Sequence, residues 1–332
     1  MYWFCTLFDS NYLYKGLALY RSLSNVCNNF HLFILACDDN CDLILKSLNL
    51  ENTTIISLSK FETKELLNVK EGRNNAEYYW TCGPSFIYYC INQFNLDHCT
   101  YLDSDLMFFS SPKPLFDEIG KNSVAITEHF TKRTDKLGGR FCVQFVYFKN
   151  DGDGMKALTW WLDQCIEWCF ARYENGKYGD QKYLDYFPEK FNNVHIIENR
   201  GCGVAPWNFK QYKFIDNQNF VFRNKKYKII FFHFHGIRID LISNKLILKT
   251  ITYDLNKQVK DNIFMPYLQL IKDIYCTDLN IPIEDIYIEK RNSLAIAYSY
   301  IKRIFRNNKI AQLIYFKLFN IKYNGYEKNK IV

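Results

Sequence analysis

Short apolar runs alternate along this chain with longer stretches in which apolar positions recur every three to four residues. Tyr2–Phe8 is the first run, closed by Asp9, Ser10 and Asn11, and it reads as a buried strand ending in a polar turn. Residues 12–23 then carry apolar side chains at helical spacing. A second run, Phe30–Ala36, ends near Asp38 and Asp39 and leads into another helical stretch over residues 41–48. Strand, helix, strand, helix in this order predicts a parallel sheet covered by helices, with ligands beyond the carboxyl ends of its strands. Asp9 and Asp38 stand at two such ends.

Further along, residues 79–94 predict a helix in spite of Gly83 and Pro84. Residues 99–102 predict a strand that stops at Asp103-Ser104-Asp105, and apolar residues 106–109 follow. Strands are expected over residues 124–127 and 142–148. A helix is expected over residues 155–172, where Leu158, Trp161, Leu162, Cys165, Trp168 and Cys169 share a stripe. Residues 227–235 read as a strand closing in His233-Phe234-His235-Gly236. No internal repeat or low-complexity linker is present. We place a soft boundary near residue 240, between an N-terminal α/β domain over residues 1–240 and a helical C-terminal appendage over residues 241–332.

Composition adds a size and a compartment. At 332 residues with 48% hydrophobic and 18% aromatic content, the chain can bury a sizeable core and is not disordered. The net charge of +7 is concentrated at one end: ten Lys and Arg against a single acid, Glu327, lie in residues 290–332, so the rest is nearly neutral. In that tail Leu294, Ala297, Ile301, Ile304 and Phe305 recur at helical spacing beside Lys302, Arg303 and Arg306. Ile310, Leu313, Ile314 and Leu318 repeat the pattern beside Lys309 and Lys317. Such a basic amphipathic helix suits an anionic membrane surface, or a helix packed on the N-terminal domain with its basic face in water. No nucleic-acid motif accompanies the charge, and no nucleic-acid partner is expected. The 12 Cys lack any Cys-x-x-Cys; two pairs, Cys37/Cys41 and Cys165/Cys169, have helical spacing, and the set reads as buried reduced thiols rather than a metal cluster. The apolar run after Met1 has no basic segment before it, and no stretch reaches membrane-spanning length, so the expected location is the cytoplasm, with peripheral attachment at the inner membrane face through the tail.

The strongest chemical signal is Tyr101-Leu102-Asp103-Ser104-Asp105. Two carboxylates two residues apart at a strand end can approach one hard cation, Mg²⁺ or Mn²⁺, which takes oxygen ligands and keeps positions open for phosphate oxygens. Acidic pairs in turns are common and most are merely solvated, so it is the strand placement that gives this one weight.

Residues 101–109 resemble the metal motif of nucleotide-sugar-dependent glycosyltransferases of the GT-A fold, especially glycosyltransferase family 8 and related bacterial surface-glycan transferases. Phe8-Asp9-Ser10-Asn11-Tyr12 is similar to the first strand and loop of that group, which hold the base and ribose. Gly179-Asp180-Gln181 resembles its Asp-Gln segment beside the transferred sugar, and His233-Phe234-His235-Gly236 its His-x-x-Gly element, whose His completes the metal shell. The resemblance spans residues 4–238. It implies an α/β, Rossmann-like GT-A domain with a mixed, mostly parallel sheet. It also implies transfer of a hexose-like sugar, with retention favoured, from a nucleoside diphosphate sugar, UDP-linked in the usual case, to a glycan or lipid-linked acceptor in surface polysaccharide or lipopolysaccharide synthesis. The residues it assigns are Asp103, Asp105 and His233 to Mn²⁺ or Mg²⁺, with His235 the alternative imidazole. Thr6, Asp9, Asn11, Tyr12, Asp38, Ser104, Gly236 and Arg238 go to the donor, and Asp180 and Gln181 to catalysis.

Two positions depart from the family. Its Lys three residues after the Gly falls at Ile239, leaving Arg238 as a stand-in, and its Phe-Asn-x-Gly strand is read here as Cys142-Val143-Gln144-Phe145. Arg73 lies upstream of the metal strand in an expected loop. Plain structural roles stand beside the functional ones: Asp9 or Asp180 as a helix cap, Tyr12 in the core, Trp207 packed rather than facing a sugar, and His129 beside a strand end rather than at an acceptor. Two other functions are weighed. A sugar-phosphate nucleotidyltransferase would carry a Gly-rich phosphate loop after the first strand, and residues 8–14 contain no Gly. A non-catalytic glycan- or membrane-binding protein on this fold would fit the altered 142–145 segment but not the full Asp103, Asp105, His233 set.

Overall fold

The computed structural model describes residues 1–131, 138–216, 218–250 and 255–288. Its centre is a seven-stranded sheet. In chain order the elements that position the site are β1 (Tyr2–Phe8), α1 (Leu13–Val26), β2 (Phe30–Ala36), α2 (Asp39–Ser47), β3 (Thr53–Ser57), α3 (Asn75–Gln93) and β4 (His98–Leu102). There follow β5 (Leu106–Phe108), β6 (Val124–Glu128), β7 (Phe141–Lys149), α4 (Gly152–Glu167), β8 (Val194–Ile197), β9 (Phe231–His233), β10 (Ile237–Ile242), β11 (Lys245–Thr250), α5 (Met265–Asp273) and β12 (Asp285–Ile288). The central sheet runs β3-β2-β1-β4-β7-β6-β8. All its neighbours are parallel except β7, which is antiparallel to both β4 and β6. The mixed, mostly parallel α/β architecture expected from the sequence is present.

Alternation along the strands explains why both faces are covered. Phe4, Leu32 and Ile34 point into one core with Leu17, Leu19 and Leu23 of α1, while Cys5, Phe33 and Leu35 point into a second with Phe86 and Ile87 of α3 and Leu158 and Trp161 of α4. The sheet is buried on both sides, which is why its strands read as continuous apolar runs. α3 persists through Pro84 and starts with a reciprocal cap between Asn74 and Glu77. Residue 240 falls inside β10, and Phe264, Tyr267, Leu268 and Ile271 beyond it pack in the same core as Phe4 and Leu17.

Some expectations are corrected. The helix expected over residues 155–172 stops at Glu167; Trp168 is extended, its carbonyl accepts from the Tyr183 hydroxyl, and the N–H of Ala171 is bonded to Glu77, so the stripe ending in Trp168 and Cys169 continues as extended chain. Cys37 likewise follows β2 and shares no helix with Cys41. The apolar run 227–235 is not one strand. Its beginning closes a small antiparallel sheet with residues 213–214 and 219–222, the chain then passes Ile229 and Ile230, and β9 pairs antiparallel with β5. A largely apolar run fits a buried segment that changes sheets as well as a single strand. The basic amphipathic stretch lies outside the described residues, and no described helix is long and apolar enough to cross a membrane.

Candidate active site

The site forms where β1, β2 and β4 end. After β4 the chain turns tightly, with Leu106 N–H bonded to the Asp103 carbonyl and Asp103 N–H to the carbonyl of Gln144 on β7. It re-enters extended structure as β5. The β5–β9 register sets His233 opposite Leu106, and Phe234 N–H donates to the Asp105 carbonyl at 2.8 Å. Pairing of two short strands thus brings residues 128 positions apart together: His233 Nε2 lies 2.9 Å from Asp105 Oδ1 and 3.7 Å from Asp103 Oδ2. His235 also shares a cluster with Asp105 and His233.

Electrostatics follow from that packing. Burial opposes the His233 imidazolium, yet the Asp105 carboxylate at hydrogen-bond distance overrides it and holds the His233 pKa well above the ordinary value. Burial would raise the Asp105 pKa, but His233 and then Lys15 hold it well below the usual carboxylate range. Asp103 is pushed the other way by burial, only partly offset by His233. A proton on His233 therefore stands where two carboxylates face an imidazole nitrogen. Two carboxylates and an imidazole form a donor set suited to a divalent cation.

The chain fixes which nitrogen faces the carboxylates. Gln144 donates through Nε2 to Thr127 Oγ1, so its Oε1 faces His233 Nδ1 at 2.9 Å and accepts the Nδ1 proton, leaving Nε2 for Asp103 and Asp105. The β6–β7 pairing slips between Ala125–Tyr147 and Thr127–Cys142, and Gln144 lies in the slipped stretch of β7. Gly203, at φ +71°, lies against the Gln144 amide; a Cβ there would sit 2.7 Å from Nε2. Gln144 and Gly203 are site residues that the sequence reading passed over, Gln144 having been taken only as a departure from a motif. A buried amide in the middle of an apolar strand was the available signal.

Lys15 was also missed. It is buried on α1 with Nζ 3.9 Å from Asp105 Oδ2 and 4.0 Å from the centre of the Tyr12 ring, and it makes no hydrogen bond among the described residues. Burial lowers its pKa, with Asp105 acting against that shift.

The other expected residues fall into groups. Asp9 accepts from the N–H groups of Asn11 and Tyr12 and from the Asn11 amide, capping the turn before α1. Tyr12 is exposed beside Lys15, with its pKa raised by burial and then by Asp105. Asp38 accepts from the N–H and hydroxyl of Ser10 and caps α2 through Cys41 N–H. Thr6 is fully buried, its hydroxyl unpartnered among the described residues. Ser104 lies in the turn between the two carboxylates. Gly236, at φ +68°, makes the turn after His235. Arg238 is directed to Asp240 on its own strand.

Asp180 is buried, and burial pushes its pKa up to about 7 against the backbone N–H groups of Asp180 and Gln181. Asp103 and Asp180 both act on Tyr101. Gly179 before it has φ +54° and backs onto Trp80, while the Gln181 amide donates to the Gly138 carbonyl. Arg73 bonds to Thr81 and to the Ile166 carbonyl. Trp207 donates to the His129 carbonyl and sets its ring edge-on to His233 and His235, at 5.2 and 5.6 Å, so it forms a wall of the imidazole pair.

No protein-family model matches the chain. It is 33% identical over 264 residues to the Bacillus subtilis protein YfnF, described as uncharacterized, with 76% of this chain and 87% of that protein covered. It is 30% identical over 278 residues to YfnD of the same organism, also described as uncharacterized, covering 81% and 88%. Among solved structures it is similar to the galactosyltransferase LgtC in complex with donor and acceptor sugar analogs, at 13% identity and a TM-score of 0.49 over 81% of this chain and 94% of that one. It is also similar to mouse xyloside xylosyltransferase 1, at 14% identity and a TM-score of 0.43 over 70% and 97%. A third is the bifunctional glycosyltransferase WbbM, at 11% and 0.47 over 85% and 51%.

Proposed function

The chain belongs to the family of Bacillus subtilis YfnF and YfnD, and we propose that it is a metal-dependent glycosyltransferase using a nucleoside diphosphate sugar. The observation that carries this reading is the convergence of Asp103, Asp105 and His233, residues remote in sequence, at the carboxyl edge of an α/β sheet. Asp103, Asp105 and the Nε2 of His233 would hold Mn²⁺ or Mg²⁺, with Gln144 keeping the ring in the tautomer that presents Nε2. Such a cation supplies neutralisation of the charge that grows on a departing diphosphate.

The chain's own groups do the rest. Lys15 Nζ, buried and without a hydrogen bond among the described residues, would meet a phosphate oxygen beside Asp105 and replace the family Lys missing at Ile239. Asp9 and Asn11 would orient the ribose, and the exposed ring of Tyr12 would stack on the base, UDP being the favoured carrier. Asp180 and Gln181 would border the sugar, held by the Trp161 N–H on the Asp180 carbonyl and by Gly138 on the Gln181 amide. The acceptor would be a glycan or lipid-linked sugar, brought near an anionic membrane by residues 290–332.

Incubating the protein with a panel of nucleoside diphosphate sugars, with and without Mn²⁺, tests this reading. Release of a nucleoside diphosphate in the presence of Mn²⁺ is expected. Release of pyrophosphate from a nucleoside triphosphate and a sugar phosphate would identify a nucleotidyltransferase instead, and no turnover with any donor or acceptor would identify a binding protein.

A further inference from the structure

The donor atoms around His233 are not those of a purely oxygen-based centre. Cys142 on β7 brings its thiol into a second triad: Cys142 Sγ, a carboxylate oxygen of Asp103 and a ring nitrogen of His233 all lie within 4.8 Å of one another. This set overlaps the one formed by Asp105, His233 and His235, with His233 common to both. Cys142 is a free thiol, 3% exposed, and the Asp103 side chain beside it is partly open to solvent. The chain's other thiol cluster, Cys5, Cys90 and Cys99, lies between β1, α3 and β4 with no carboxylate or imidazole among its three members.

Thiolate and imidazole ligands favour Zn²⁺ and Cd²⁺, whereas Mg²⁺ and Mn²⁺ are best served by carboxylates, carbonyls and water. We propose that Asp103, Cys142 and His233 form a capture site for a soft divalent cation, so that Zn²⁺ or Cd²⁺ displaces the cation used in transfer and inhibits the protein. The inference rests on the reading of Asp103 and His233 as ligands of that cation. Binding forms metal–sulfur and metal–nitrogen bonds and releases to solvent both the Cys142 thiol proton and the proton on the coordinating nitrogen of His233, with no change of oxidation state.

The test uses the full chain and Cd²⁺, whose bond to a thiolate gives an ultraviolet charge-transfer band, alongside Mn²⁺ binding followed by electron paramagnetic resonance. The unmutated protein is expected to develop the band on adding stoichiometric Cd²⁺ and to release bound Mn²⁺ as it does so. Cys142→Ser should lose the band, and Cys99→Ser, in the separate thiol cluster, should keep it. Cadmium NMR of the unmutated protein gives the same answer without a variant: a shift characteristic of sulfur ligation is expected. A band that survives Cys142→Ser, or Cd²⁺ bound without sulfur, overturns the proposal. Mn²⁺ binding with no thiolate band overturns this inference alone and leaves the transfer centre standing. A Cys142-dependent band in a protein that never binds Mn²⁺ upholds the thiol site and overturns the reading of the centre as the transfer site.

Discussion

Replacing Gln144 by Leu removes the acceptor for the His233 Nδ1 proton while keeping the volume of the side chain. Both residues are buried, at 0% and 4% exposure, so water cannot take over the bond now made at 2.9 Å. The imidazole then has two poor choices: leave Nδ1–H unsatisfied, or move the proton to Nε2, the atom facing Asp103 and Asp105. Leaving a buried donor unmade costs about 1–3 kcal/mol, which corresponds to roughly 5- to 150-fold in a binding constant. Loss of a partner that orients a metal-binding His weakens affinity by about 10- to 100-fold, so the two lines of reasoning agree. The assay is Mn²⁺ affinity by electron paramagnetic resonance or calorimetry, with a thermal melt to show that the fold persists. Gln144→Glu keeps an acceptor for Nδ1–H and should restore most of the affinity. Wild-type Mn²⁺ affinity in Gln144→Leu would mean that Gln144 has no part in presenting Nε2.

Gly203→Ala adds a Cβ where only 2.7 Å separates it from the Gln144 amide, and at a positive φ; it should weaken Mn²⁺ binding in the same direction as Gln144→Leu, measurable by the same titration. Metal binding must expel the His233 proton, and the Asp103 proton where that raised carboxyl still holds one, so Mn²⁺ affinity should fall by at least about tenfold per pH unit below the raised His233 pKa, with at least one proton released per ion in a weakly buffered titration. Lys15→Met removes a cation 3.9 Å from Asp105 and should tighten Mn²⁺ binding without donor while weakening nucleoside diphosphate binding; weaker binding of both would show that Lys15 only supports the fold. Asp180 has a folded pKa raised from 3.8 to about 7, so the folded state holds its proton longer than the unfolded chain and loses stability as pH rises between those values. Asp180→Asn should therefore raise the melting temperature at pH 8, by an amount worth at most about 4 kcal/mol, and leave it unchanged at pH 3; equal effects at both would contradict the burial argument.

Much of the fold was legible because the central strands are buried on both faces. Tyr2–Phe8, Phe30–Ala36 and the run before Asp103 could hardly be read otherwise, and the polar residues that close them mark the edge where the site lies. Thr53–Ser57 was not seen because its alternation is weak, and Val194–Ile197 because four residues give too little pattern. The 227–235 run misled for the opposite reason: a run dominated by apolar residues hides a change of sheet. The carboxylate pair and His233 were legible as types at known spacing, but their convergence depends on the β5–β9 register, which no local pattern encodes. Gln144, Gly203 and Lys15 escaped for a related reason. A polar residue inside an apolar strand, a glycine that must sit against it and a lysine on a buried helix face acquire meaning only once their neighbours are known. Asp9 and Asp38 each close a turn as a cap at the carboxyl edge of the sheet, so their local pattern is that of ordinary caps.

On the proposed function, Asp103, Asp105 and His233 grip one cation. Crystals of the protein grown with Mn²⁺ and a nucleoside diphosphate, measured for anomalous scattering, test it directly. A single strong peak bonded to both carboxylates and to His233 Nε2, and absent from Asp105→Asn crystals grown the same way, is the predicted result. A peak bound elsewhere, or none with the nucleotide in place, would contradict it.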